Sequence, residues 1–256
     1  MDGLESQLTV ILPAHNEAAN IAAIVEGVRS NAPGARLLVV DDGSSDDTSA
    51  RAVEAGAEVL RLDPNLGKGR ALREGVMRSS GDVLVFIDAD GQDDPAEIPA
   101  MLAALGPDVD LVLGSRFVGR FNRGAITRVN WLGTKCITLL GDILFRCRIT
   151  DPCAGFRAVR RSALEAIELK ADGYDIEVDV VFGILRAGGR VIEVPAVRSP
   201  RASGRSGLSS FRDGLRIVRR MVQIRLERRP RLISARPAAA DHGMSSGRAG
   251  GAPDLD

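Results

Sequence analysis

An α/β fold with a mainly parallel central sheet is predicted by three features of this sequence. Short apolar runs rich in Val, Ile and Leu recur through the first half, segments with helical spacing lie between them, and the two alternate about every 25 residues. Each run is too short for a buried helix and too continuous for a strand with one wet face, so strands covered on both sides are expected. Such alternation builds successive βαβ units.

Leu8 to Leu12 is the first expected strand, and Ile21, Ile24, Val25 and Val28 mark the helix after it. Leu37 to Val40 and Val59 to Leu62 are the next strands, with Asp46 or Asp47 placed to cap a helix between them. Leu72 and Val76 mark a helix ahead of the strand Val83 to Ile87, and Ile98, Met101, Leu102 and Leu105 mark another ahead of Val109 to Leu113. From Gly124 to Phe145 the chain is apolar with scattered Arg and Lys; a DPCAGF turn and a further alternating segment follow. The spacing of Leu208, Phe211, Leu215, Val218 and Val222 predicts an amphipathic helix over 208–229, which closes an expected domain of 1–229. Beyond Pro230 the residues are mainly Ala, Gly, Ser, Arg and Pro, the composition of a disordered tail over 230–256.

Composition narrows the function. With 256 residues, 45% of them hydrophobic and 27% charged, the chain suits one soluble globular domain. Equal numbers of basic and acidic residues, 34 each, give no overall attraction to nucleic acid. Cys136, Cys147 and Cys153 form no CxxC pair, which points to reduced thiols in the cytoplasm. The acidic start MDGLESQLTVILPAHNE fits no secretory signal, and no apolar window is long enough to span a bilayer.

In parallel α/β sheets ligands bind beyond the carboxyl ends of the strands, which singles out the loops PAHNE, DDGSSDDT and DADGQDDP. In FIDADGQDDP, Asp88, Asp90 and Gln92 alternate just past a strand, so an extended backbone puts their oxygens on one side. Two carboxylates and an amide suit Mg2+ or Mn2+ and not structural zinc; a plain turn is the other reading. Asp93 and Asp94 read as the cap of a helix starting at Pro95. Asp41 and Asp42 either face a base or ribose or hold their own turn, and Gly67, Lys68 and Gly69 make a loop with a cation that a phosphate can approach. Neither GxxxxGK[ST] nor GxGxxG after the first strand is present.

The ordered set VILPAHNEAANI, VVDDGSSDDT, NLGKGRALREG, FIDADGQDDP, LVLGSRF and DPCAGFRAVRR resembles glycosyltransferase family 2, and among its members the dolichyl- or polyprenyl-phosphate sugar synthases. The resemblance runs from about Thr9 to Arg220 and implies a GT-A fold binding a nucleotide-diphosphate sugar through a metal. It implies a nucleotide site of Pro13, Ala14, Asn16, Glu17, Lys68, Asp88, Ala89 and Arg201, with Asp41 or Asp42 near the base or ribose. It places Mg2+ or Mn2+ on Asp88, Asp90 and Gln92, and the acceptor phosphate against Arg116 and either Arg123 or Arg128. Asp90, Arg116 and Asp151 are the implied catalytic residues. The family's RxxGxSK reads RASGRSG here: Arg201, Gly204 and Ser206 match, Gly207 replaces the lysine, and Arg205 is the cation available in its stead.

The resemblance implies inversion at the anomeric carbon by one displacement. A lipid monophosphate acceptor, with a second pKa of about 6, is already anionic and needs no base. A hydroxyl acceptor needs a carboxylate, for which Asp151, Glu177 and Asp179 are candidates. From Arg201 to Arg231 ten arginines face only Asp213 and Glu227, so this stretch carries +8 and the rest −8. A basic amphipathic helix either lies on an anionic leaflet or covers the core. With Phe211 its single aromatic, the region offers no stacking platform for nucleic acid. The expected function is therefore a cytoplasmic enzyme, peripheral at the inner face of the membrane, that moves a sugar from UDP, GDP or dTDP to a polyprenyl phosphate. A family member with a soluble hydroxyl acceptor and a nucleotide-sugar-binding protein without turnover are the alternatives.

Overall fold

The computed structural model describes residues 8–121, 126–201 and 210–228. Seven strands form one sheet: β1 (Leu8–Ala14), β2 (Arg36–Asp42), β3 (Glu58–Leu62), β4 (Val83–Phe86), β5 (Leu111–Phe121), β6 (Arg157–Arg160) and β7 (Val191–Arg198). Their order across the sheet is β3-β2-β1-β4-β6-β5-β7. All pairings are parallel except those of β6, which runs antiparallel to both β4 and β5.

The helices are α1 (Ile21–Asn31), α2 (Thr48–Glu54), α3 (Lys68–Arg78), α4 (Ile98–Ala104), α5 (Arg128–Phe145), α6 (Arg161–Glu165), α7 (Ile176–Ala187) and α8 (Ser210–Leu226). A 3-10 turn, Pro95–Glu97, precedes α4, and Asp94 caps it by accepting from Ala96 N. The strand expected from Val109 starts at Leu111: Val109 N donates back to Gly106 O in the turn that precedes it. Within the amphipathic segment of 208–229 the described helix is α8; residues 208, 209 and 229 and the tail over 230–256 lie outside the described residues.

Strand alternation produces two cores. Val10, Leu12, Val39, Val85 and Ile87 face α1 and α4, while Ile11, Leu38, Val40, Leu84 and Phe86 face α3 and α7. Each fully buried Val, Ile or Leu contributes roughly 1.5–3 kcal/mol relative to exposure, which is why these runs are continuous rather than alternating. Chain order places β2 and β3 on one side of β1 and β4 on the other, so the loops after β1 and β4 diverge and leave a crevice between them.

Candidate functional site

The crevice opens into a cleft of about 1450 Å³. Of the residues expected in the site, Pro13, Ala14, Asn16, Glu17, Asp42, Lys68, Asp88, Ala89, Asp90, Gln92, Arg116 and Arg201 line it. Asn16 takes φ 57°, a conformation Asn tolerates better than most residues. Its backbone N–H donates to Ser44 Oγ at 2.9 Å and its Oδ1 accepts from Ser45 N at 2.8 Å, locking the loop after β1 to the turn after β2.

The structure separates the two aspartates that end β2. Asp41 is fully buried, accepts from Ser44 N and the Ser49 hydroxyl, and pairs with Arg61 at 2.8 Å. It holds its own turn and does not reach the cleft. Asp42 reaches the cleft wall, but its two oxygens accept from Leu66 N at 2.7 Å and Gly67 N at 2.8 Å, so it fixes the loop ahead of α3.

On the cleft floor Asp88 Oδ1 lies 2.6 Å from Lys68 Nζ. The approach depends on Gly155, where an added Cβ would lie 2.8 Å from Asp88 Oδ2. Burial opposes the Asp88 charge, but Lys68 and Arg198 outweigh it and hold the carboxyl below its ordinary value. Asp90 is paired with Arg201 at 2.8 Å. Burial, helped by the Asp88 carboxylate, nevertheless pushes it up to about 6. Gln92 lines the cleft without turning its amide to these carboxylates: its Oε1 accepts from Arg198 at 3.0 Å and its Nε2 donates to Ser199 O at 3.0 Å. Among the described residues no group of three or more His, Cys, Asp or Glu is arranged to hold a metal ion. The oxygen donors of Asp88 and Asp90 fit a hard divalent cation that fills its other positions with water and diphosphate oxygens.

Arg116 lies at the cleft, gripped through Nε and Nη2 by the two oxygens of Asp151, each at 2.6 Å. Burial alone would ease the Arg116 proton off, but Asp151 outweighs it and raises the pKa. Asp151 itself is fully buried, and Glu193 accepts from its N–H at 2.8 Å. Both side-chain oxygens of Asp151 are thus turned to Arg116 and not to the open cleft. Asp179 is likewise occupied, accepting from Lys170 N and Ala171 N and pairing with Arg220. Arg128 is exposed at the start of α5 and is not among the lining residues; Arg123, Gly204, Arg205, Ser206 and Gly207 lie outside the described residues.

Several lining residues had no assigned role in the sequence reading. Arg198, at the end of β7, pairs with Asp93 at 2.8 Å and approaches Asp90 at 3.9 Å. Tyr174 and Cys153 line the wall beside Lys68, and burial pushes the Cys153 thiol up to about 12. Glu177, a candidate base in the sequence reading, faces the cleft paired with Lys68, and behind it stands Arg157, to which that reading gave no role. The available signal was Arg157 itself, a charge inside the apolar run from Phe156 to Val159.

The protein-family model of glycosyl transferase family 2 matches residues 9–168. The chain belongs to glycosyltransferase family 2. It is 34% identical over 215 residues to polyprenol monophosphomannose synthase of Mycolicibacterium smegmatis, covering 78% of this chain and 80% of that protein. It is 34% identical over 218 residues to undecaprenyl-phosphate mannosyltransferase of Micrococcus luteus, covering 79% and 88%. Among solved structures, glucosyl-3-phosphoglycerate synthase of Mycobacterium tuberculosis in complex with Mn2+ and UDP-glucose superimposes with a TM-score of 0.69 at 27% identity, covering 88% of this chain and 82% of that one. The seven-stranded architecture of this family 2 glycosyltransferase is thus the GT-A fold, and the protein is a sugar-transferring enzyme.

Proposed function

We propose that this glycosyltransferase moves a sugar from a nucleoside diphosphate to a polyprenyl monophosphate, with Mg2+ or Mn2+ held by Asp88 and Asp90. The observation that carries this reading is the gradient along the cleft. Its floor is charged, with Lys68, Asp88, Asp90, Arg116 and Arg201, whereas its mouth between α5 and α8 is lined by the exposed Val129, Phe211, Leu215 and Val218. An acceptor with an anionic head and a long apolar chain suits both ends. The two mannosyltransferase relatives are named for such acceptors.

The donor lies against Pro13, Ala14, Asn16 and Glu17, with its diphosphate toward Lys68, Asp88, Ala89, Asp90 and Arg201. A bound divalent cation supplies Lewis-acid neutralisation of the departing nucleoside diphosphate. Arg116, aimed by Asp151, holds the acceptor phosphate in line behind the anomeric carbon, and the displacement inverts that centre. Because the second pKa of a phosphate monoester is about 6, the attacking oxygen is anionic at neutral pH, which accords with the absence of an accessible Asp151 base. Arg128 has no part in this reading. The donor base stays among UDP, GDP and dTDP.

A single domain over 1–229 carries both the transfer site and the surface that meets the membrane. On α5 Trp131, Leu132, Leu139 and Ile143 are exposed, and on α8 Phe211, Leu215, Val222 and Leu226. Arg212, Arg216 and Arg219 are exposed on the same helix, a composition suited to an anionic leaflet at the inner face of the cell membrane. No helix among the described residues is long and apolar enough to cross it.

A soluble acceptor is the second reading, favoured by the likeness to an enzyme whose structures include phosphoglyceric acid. Transfer assays with a short-chain prenyl phosphate and with 3-phosphoglycerate, each with the three nucleotide sugars and Mn2+, separate the two. Product on the prenyl phosphate alone is expected; product on phosphoglycerate alone would replace the lipid reading with the soluble one.

A further inference from the structure

Four charged side chains stand in single file from the sheet to the cleft: Arg157, Glu177, Lys68 and Asp88. Arg157 is fully buried on β6, with its guanidinium 5.2 Å from the centroid of the Phe86 ring. It pairs with Glu177 Oε2. Glu177, in the first turn of α7 and 3% exposed, turns its other oxygen to Lys68 Nζ at 2.8 Å. Lys68 opens α3 and reaches Asp88 at 2.6 Å.

Packing does not account for this arrangement. Desolvating an ion pair usually costs as much as the pair returns, and apolar side chains of similar volume would fill the space at least as well. The neighbouring backbone explains what Lys68 is needed for. Leu66 N and Gly67 N donate to Asp42, and Gly69 N and Arg70 N donate to Asp172 O at 2.8 and 3.3 Å. These amides, which would cradle a phosphate in many helix-start loops, are already used. With these four amides used, the Lys68 ammonium is the cation of this loop that faces the cleft.

We infer that Glu177, fixed in place by Arg157, is a positioning residue that keeps Lys68 aimed into the cleft for the diphosphate of the donor. On donor binding Lys68 keeps Glu177 and exchanges Asp88 for a phosphate oxygen, so the aspartate is released as the diphosphate is gripped. The inference rests on the reading that the cleft takes a nucleoside-diphosphate sugar.

A double-mutant cycle tests it, read by calorimetric titration of the full chain with UDP, GDP and dTDP in Mn2+. If the wild-type protein binds none of the three, the donor-site reading fails and this inference falls with it. With wild-type binding established, Lys68→Met and Glu177→Gln are each expected to weaken it about tenfold, the scale of one charged hydrogen bond. The double variant should bind no more weakly than Lys68→Met alone, because Glu177 acts through Lys68. A further loss of equal size on adding Glu177→Gln to Lys68→Met, or unchanged binding in Glu177→Gln alone, overturns the inference. Glu177→Asp guards against a folding defect: it keeps a carboxylate beside Arg157 but draws it back from Lys68. A wild-type melting temperature with weakened diphosphate binding is expected of it, and wild-type affinity would again overturn the assignment.

Discussion

Residues in this cleft are set by their partners as much as by their own chemistry. Asp151 and Arg116 stand 35 positions apart in sequence and form one bidentate unit, so the two are predicted to fail in the same way. Asp151→Asn and Arg116→Lys should each raise KM for the acceptor phosphate about tenfold with a smaller change in kcat, since each disturbs a two-pronged charged grip. A fall in kcat alone in Asp151→Asn, with KM unchanged, would return Asp151 to the role of a base. Asp90 makes a pH prediction. Its pKa of about 6 lies above the ordinary carboxyl value, so its own contribution to stability is present in acid and lost as pH rises through 6. The same ionisation makes it a better ligand for a cation. The gain in melting temperature from Mn2+ with nucleotide should therefore grow as pH rises through about 6, and Asp90→Asn should flatten that dependence. A gain that does not vary with pH in the wild-type protein would remove Asp90 from the metal site.

Helices α5, α7 and α8 meet in a close crossing. At Gly141 of α5 an added Cβ would lie 2.6 Å from Cζ of Phe182, a fully buried ring stacked on Phe145 at 4.3 Å between centroids. The ring has no room to swing away, so Gly141→Ala is expected to destabilise the fold by about 1–3 kcal/mol, measured by urea denaturation. A neutral or stabilising effect would mean the crossing relaxes freely. One turn earlier on α7, Asp179 clamps Arg220 of α8 while accepting from Lys170 N and Ala171 N. Arg220→Met strands a buried carboxylate and is expected to cost about 3–5 kcal/mol. These contacts join α8 to the segment that abuts the start of α3, so the helix at the cleft mouth and the lysine at its floor share one scaffold.

For the molecule as a whole, the exposed apolar residues of α5 and α8 and the arginines of α8 predict adsorption to anionic vesicles. Replacing Phe211 and Leu215 together by Ser should lower the affinity for phosphatidylglycerol vesicles, read by sedimentation, by about a hundredfold or more, as roughly 1.5–3 kcal/mol of burial is lost per large side chain. High salt should weaken binding of the wild-type protein. Equal binding of wild-type and variant would place the membrane contact elsewhere.

Much of this was legible along the chain. Continuous apolar runs mark β1, β2 and β4 because strands buried on both faces must be apolar at every position, and the acidic loops follow them directly. The DAD spacing offered Asp88 and Asp90 as a carboxylate pair or a plain turn, and it was the resemblance to the family that chose between them. Tertiary structure decided the rest: that Asp41 turns away while Asp42 holds the loop before α3, that Gln92 bonds Arg198, and that Asp151 is sealed behind Arg116. The ion pair between Asp90 and Arg201 spans 111 positions, and β6 entering antiparallel is what sets Arg157 behind Glu177. Apolar periodicity is a property of neighbours in sequence and can be read there. The partner of a buried charge depends on which strands the chain brings side by side, and that is settled only when the sheet forms.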